Sequence, residues 1–143
     1  MIVAYDLDGV IAESPPLREK SWGHMNGNER LAYRQMLIAH YKKAKVLYTP
    51  PETKFHIITA RKLEMKYITE TWLNENFPEK KFSLHMLDVS RTIDNVVLFK
   101  SRVLSNINAT CFIEDNKKVV KKLRRELPGI EIKLFPQEVI KEV

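Results

Sequence analysis

With only Cys111 among 143 residues, the chain has no internal disulfide open to it, which suits a reducing compartment such as the cytoplasm. Cys111 lies inside the apolar run Ala-Thr-Cys-Phe-Ile, where a thiol serves as a small buried filler rather than a nucleophile. No apolar run approaches the about 18 residues a transmembrane helix needs. The N-terminus opens on what reads as a core strand, without the basic-then-apolar pattern of a secretory signal. There is no internal repeat and no low-complexity segment. The four histidines, His24, His40, His56 and His85, lack metal-ligand spacing. A hydrophobic fraction of 44% with 29% charged residues is far from disorder, so the expectation is one cytoplasmic domain over residues 1–143.

The formal charge of +6 favours anionic ligands: phosphates, nucleotides or nucleic acid. Much of it comes from Lys117-Lys118-Val119-Val120-Lys121-Lys122-Leu123-Arg124-Arg125. There Val119, Val120, Leu123 and Leu127 recur at helical spacing, so the basic residues read as the solvated face of a helix. No aromatic is interleaved with them, as stacking on single-stranded nucleic acid would require.

Short apolar runs alternate with helical patterns. The runs are Ile2 to Tyr5, Phe55 to Ile58, Phe82 to Leu87, Thr110 to Ile113 and Ile130 to Phe135. Helices are predicted at about Leu63–Asn76, Thr92–Ile107 and Asn116–Leu127. Strands apolar on both faces and separated by helices indicate an α/β fold with a parallel sheet between helical layers. Such sheets bind ligands at the carboxyl ends of their strands. The interval 14–51 breaks the alternation. Proline pairs at 15–16 and 50–51 bracket it, and a helical run from about Glu29 to Leu47 carries Leu31, Met36, Leu37, Tyr41 and Ala44 as an apolar side. It is too small to fold alone and reads as a small helical cap inserted over the carboxyl edge of the sheet. Trp22, Tyr33 and Arg34 belong to it, as packing residues or as partners for a base.

Four signals fall where that edge should be: Asp6 and Asp8 after the first strand, Thr59 after the second, Lys100 on a helix, and Glu114-Asp115 after the fourth strand. Carboxylates gathered this closely need a cation between them, and oxygen-only ligands favour a hard ion, Mg²⁺ before Ca²⁺. The hydroxyl and the ammonium suit phosphoryl oxygens instead. Together these groups indicate phosphoryl transfer. Asp6 and Asp8 share a face while the chain stays extended, with Leu7 turned to the core. Gly9 then permits a sharp turn. One aspartate is thereby placed to attack phosphorus and the other to handle the leaving-group proton.

In this order, "DLDGV", "IITAR", Lys100 and "FIEDN" resemble the four motifs of the haloacid dehalogenase-like superfamily of aspartate-nucleophile phosphohydrolases. The resemblance covers about residues 1–13 and 52–136. It implies a Rossmann-like three-layer core with a five-stranded parallel sheet of order 5-4-1-2-3. It also implies that Asp6 is the nucleophile and Asp8 the general acid and then base. Mg²⁺ would be held by the Asp6 carboxylate, the Asp8 backbone carbonyl and Asp115, with Glu114 acting through a metal-bound water. Thr59 and Lys100 would hold phosphoryl oxygens. Lys100 falls on the apolar side of its helical pattern, where a lysine needs an anionic partner; Lys117 and Arg91 are the substitutes if it is instead a surface residue. Arg61 is placed either to reach a substrate phosphate or to stand at the surface.

The form "ITAR" with its following helix is similar to the 5'(3')-deoxyribonucleotidase branch, which implies a small nucleotide-like phosphate ester as substrate. A nucleic-acid 3' or 5' end phosphatase is the rival reading. A receiver-like signalling module would need a strand ending in Asp shortly before Thr59, and none occurs there. A non-catalytic phosphate-binding module leaves the complete acidic set without a purpose.

Overall fold

The computed structural model describes residues 1–140. Five strands form one all-parallel sheet: β1 (Val3–Tyr5), β2 (Lys54–Lys62), β3 (Lys81–Leu87), β4 (Cys111–Glu114) and β5 (Glu131–Leu134), in the order β3-β2-β1-β4-β5. This is the expected order 5-4-1-2-3, written from the other edge. The helices are α1 (Gly27–Lys43), α2 (Lys66–Asn76), α3 (Ile93–Asn106) and α4 (Lys117–Glu126). None of the described helices is long and apolar enough to cross a membrane.

Alternation along the strands creates two cores. Val3, Tyr5, Phe55, Ile57, Cys111 and Ile113 face one side and pack with Trp72, Leu73 and Phe77 from the α2 region. Ala4, Ile58, Phe112 and Ile132 face the other, against Val96, Val97 and Leu104 of α3 and Val119, Val120 and Leu123 of α4. The central strands β1, β2 and β4 therefore have apolar side chains on both faces, because helices cover both, whereas the edge strand β5 sets Ile132 and Leu134 on one face and Glu131 and Lys133 on the other. The basic residues of α4 are left on its outer side, as its spacing predicts. Cys111 is buried, and burial pushes its thiol up to about 11, consistent with a packing role.

The chain leaves β1 toward β2 and β3, then returns to lay β4 on the opposite side of β1. The carboxyl ends of β1 and β4 thus border the point where the strand order reverses, the natural crevice of such a sheet. Asp6 follows β1, Glu114 ends β4 and Asp115 follows it.

The bounds of three elements depart most from the sequence expectation. Strand β2 runs on to Lys62, so Thr59 and Arg61 belong to it instead of following it. Its register against β3 shifts between Thr59 and Lys62, where Thr59 opposes Met86 and Lys62 opposes Leu87. Such a bulge re-aims side chains, and the Arg61 N–H donates to Thr59 Oγ1 at 3.2 Å. The polar letters of "TAR" conceal this extension. The helix expected from Leu63 starts as a short 3-10 turn, Leu63–Met65, and becomes α-helical at Lys66.

The helix in the inserted segment runs over Gly27–Lys43, displaced toward the N-terminus from Glu29–Leu47. Asn26 and Glu29 form a reciprocal capping box there, at 2.8 and 3.1 Å. At the other end, pairing with the stretch after Asp8 draws the chain out of the helix. Val46 bridges Ala12, Glu13 N–H donates to Lys45 O at 2.9 Å, and Leu47 N–H donates to Ile11 O at 2.8 Å. Of the apolar side proposed for this helix, Tyr41 and Ala44 are buried, whereas Leu31 is 55% exposed.

Leu7, between the two aspartates, is fully buried and anchors the turn to the core. Leu7→Ala should lower unfolding stability by about 2–5 kcal/mol, read from urea titration with an unchanged slope. A loss below about 1 kcal/mol would mean that the turn does not depend on this anchor.

Candidate active site

Asp6 continues the β1 ladder, with its N–H donating to Ile113 O at 2.9 Å, and its Oδ1 accepts from Leu7 N–H at 2.9 Å. Gly9 follows with φ of +87°, a conformation that glycine adopts without penalty. A Cβ on residue 9 would collide with the Asp115 carboxylate, so the glycine also makes room for that group.

Lys100 enters from α3. Its neighbours on the buried stripe are Val96, Val97 and Leu104, and it is itself only 2% exposed. Its ammonium lies 2.6 Å from Glu114 Oε1 and 3.1 Å from Asp6 Oδ1. The structure thus supplies the anionic partner that a lysine on a buried face requires, while Lys117 and Arg91 remain exposed. Glu114 is 1% exposed, and its second oxygen accepts from Asp115 N–H at 2.9 Å and Asn116 N–H at 3.3 Å. Both of its oxygens are committed within the protein.

Oxygens of Asp6, Glu114 and Asp115 lie within 4.8 Å of one another. Three carboxylates against one ammonium leave two uncompensated negative charges when all are ionised. The protonation equilibria register the excess. Burial and the charge of Glu114 push Asp6 well above the usual carboxylate range, with Lys100 opposing. Asp115 is pushed up to about 6 by burial and by its hydrogen bond to Glu114. Burial also opposes ionisation of Glu114, but the charge of Lys100 outweighs it and brings that carboxyl down to about 2. Lys100 itself is held above its ordinary value because Asp6 and Glu114 overcome the effect of burial.

The all-oxygen donor set fits a hard divalent ion, which would replace protons as the compensating charge. Asp6 and Asp115 have the freer carboxylates for it. Glu114 serves as the counter-charge that keeps Lys100 in place.

Asp8 stands apart from this cluster. Its two oxygens accept from Arg61, Nε to Oδ2 at 3.0 Å and a terminal nitrogen to Oδ1 at 2.7 Å, in a forked pair. The other terminal nitrogen of Arg61 donates to Thr69 Oγ1 at 3.0 Å, and the guanidinium carbon sits 3.7 Å from the centroid of the Tyr41 ring. Arg61 is 2% exposed. It is therefore not the surface cation that the sequence left open, and each of its three nitrogens has a partner within the protein. The Asp8 carboxylate is likewise turned to Arg61 and lies outside the acidic cluster.

Thr59 is buried in β2, two residues past Ile57, which pairs with Tyr5 of β1. Sequence reasoning did not single out Tyr41 or Thr69 as site residues. Tyr41 was legible as part of an apolar helix side, but nothing local indicates that its ring covers an arginine 20 positions away. Outside the site, His56 and His85 stack on each other with ring nitrogens 3.0 Å apart, and Trp22 and Arg34 are exposed.

A comparison with family models, with curated proteins and with solved structures finds no match to this chain.

Two outcomes follow from the charge balance. Because Asp115 is raised from 3.8 to about 6, the folded state holds that proton more tightly than the unfolded chain. Its contribution to stability is full below pH 4 and is lost as pH rises to 6, and Asp6 acts in the same direction. An ion that binds the ionised carboxylates should reverse this. The gain in melting temperature from Mg²⁺ over EDTA should therefore grow across pH 4 to 6, as measured by scanning fluorimetry. A Mg²⁺ effect that is absent or independent of pH would contradict the charge balance. Lys100→Met should cost about 3–5 kcal/mol in metal-free buffer, since it leaves Glu114 buried and unpaired. Adding Glu114→Gln should recover part of that loss in chemical denaturation.

Proposed function

We propose that the chain is a Mg²⁺-dependent phosphomonoester hydrolase of the haloacid dehalogenase-like type, working through an aspartyl-phosphate. The observation that carries this reading is that two aspartates only two residues apart have unlike partners. Asp6 lies with Lys100, Glu114 and Asp115, while Asp8 is held separately by Arg61. That inequality is what a reaction with a nucleophile and a distinct proton carrier needs.

In the first half-reaction, an Asp6 carboxylate oxygen attacks phosphorus. The bond from phosphorus to the ester oxygen breaks, and Asp8, protonated in the substrate complex, gives its proton to the departing oxygen, releasing an alcohol. In the second, water attacks the phosphorus of the aspartyl-phosphate and passes its proton to the Asp8 carboxylate. The bond from phosphorus to Asp6 breaks, inorganic phosphate leaves, and both aspartates return to their starting states. Lys100 has two of its three N–H directions toward Glu114 and Asp6, which leaves the third for a phosphoryl oxygen. Thr59 is assigned to the same phosphoryl group. Mg²⁺ held by Asp6 and Asp115 would offset the charge that repels a phosphate dianion and would keep Asp6 ionised.

The substrate proposed is a nucleotide-like small ester, with nucleic-acid ends as the competing class. A phosphate-release screen across nucleotides, sugar phosphates and 3'- or 5'-phosphorylated oligonucleotides, in Mg²⁺ and then in EDTA, tests both. Activity should require the metal, and Asp6→Asn should lower it by at least about 10³-fold. Normal turnover in Asp6→Asn would refute the nucleophile assignment. Activity on oligonucleotide ends that falls steeply with salt, without comparable mononucleotide hydrolysis, would select the nucleic-acid class.

A further inference from the structure

We infer that Tyr41, contributed by the inserted segment, is a positioning residue for the leaving-group acid: its ring fixes the plane of Arg61, and Arg61 fixes the carboxylate of Asp8. The inference rests on the phosphohydrolase reading above and assigns the insertion a part in the chemistry of the core.

A forked pair transmits orientation. With Nε and a terminal nitrogen of Arg61 bound to the two oxygens of Asp8, the guanidinium and the carboxylate lie near one plane, so any tilt of the first tilts the second. Two groups limit that tilt. Thr69 Oγ1 receives the remaining terminal nitrogen at 3.0 Å and itself donates to Met65 O at 2.8 Å, which ties the far end of the guanidinium to the start of α2. The Tyr41 ring lies 3.7 Å from the guanidinium carbon and closes one face of it. Tyr41 and Arg61 are each only 2% exposed, so water does not substitute for the ring.

The seat of Tyr41 is equally fixed. One residue before it, His40 Nε2 lies 2.8 Å from Glu13 O, and three residues after it, Ala44 O accepts from Trp72 Nε1 at 3.0 Å. Ala12, four residues beyond Asp8, bridges Val46. The end of α1 that carries Tyr41 is therefore joined both to the turn after Asp8 and to α2. This is the architecture of a fixed wall, in contrast with the exposed opposite end of the same helix.

A proton donor must stand within hydrogen-bond reach of the departing oxygen, and its placement matters most when that oxygen leaves poorly as an anion. Alkoxides need the proton; p-nitrophenolate does not. The test compares kcat and KM for an alkyl ester, a nucleoside monophosphate, and for p-nitrophenyl phosphate in wild type, Tyr41→Phe and Tyr41→Leu. Tyr41→Leu should lower kcat/KM on the alkyl ester by about 10-fold or more and change it on the p-nitrophenyl ester by less than about 3-fold; kcat/KM reports the steps up to alcohol release, so the later role of Asp8 as base, common to both esters, does not enter. Tyr41→Phe keeps the ring face and should retain both activities. Equal losses on the two esters, no loss on either, or failure of Tyr41→Phe to rescue would overturn the inference.

Should Tyr41→Leu not fold, Thr69→Val removes the other restraint on Arg61 at nearly constant shape. It should show the same selective loss, and equal losses on both esters would again refute the proposal. Wild-type protein that hydrolyses neither ester would overturn the phosphohydrolase reading and this inference with it. An active wild type whose variants show no leaving-group dependence would overturn the inference alone.

Discussion

The ion pairs of Lys100 with Asp6 and Glu114 are the constraint on which the rest of the site depends. An ammonium removed from water at this depth is unfavourable unless its hydrogen-bonding directions meet anions, and here two carboxylates meet it at 3.1 and 2.6 Å. The pairs tie α3 to the ends of β1 and β4, the two strands that border the reversal of strand order. They also leave the acidic cluster short of positive charge, since Lys100 balances only one of three carboxylates. The shortfall explains why burial and Glu114 raise Asp6, and why a hard dication suits the position.

Around this centre the three layers supply cations from opposite sides. Lys100 comes from α3, in the layer that packs on Ala4, Ile58 and Phe112. Arg61, although it belongs to β2, is held by Thr69 of α2 and Tyr41 of α1, on the side where Trp72 and Leu73 pack. Asp6 and Asp8 leave the same strand end and meet cations anchored in different layers. Two chemically identical side chains acquire different surroundings in this way, one in a cluster short of positive charge and the other in a forked pair with Arg61.

Much of the fold was legible in the sequence because its signals are local. Apolar runs on both faces, separated by amphipathic helices, indicate a parallel sheet wherever they occur, and all five strands and the three core helices lie where those runs place them. The boundaries that moved did so through interactions between distant residues. Strand β2 continues through Thr59 and Arg61 because β3 pairs beyond the bulge. Helix α1 ends at Lys43 because residues 45–47 pair with residues 11–13.

The candidate site divides along the same line. The spacing of Asp6, Leu7, Asp8 and Gly9 already placed a turn after the first strand, because the freedom of glycine at positive φ is a property of the local chain; strand periodicity does not carry through the two carboxylates, since β1 ends at Tyr5 and the turn begins at Leu7. The helical period likewise put Lys100 on a buried face. Only the tertiary structure decided which carboxylate each cation serves. Arg61 meets Asp8 across 53 positions of chain and Lys100 meets Glu114 across 14, and those pairings depend on how the layers stack. The burial that makes such pairs obligatory exists only once the layers have closed.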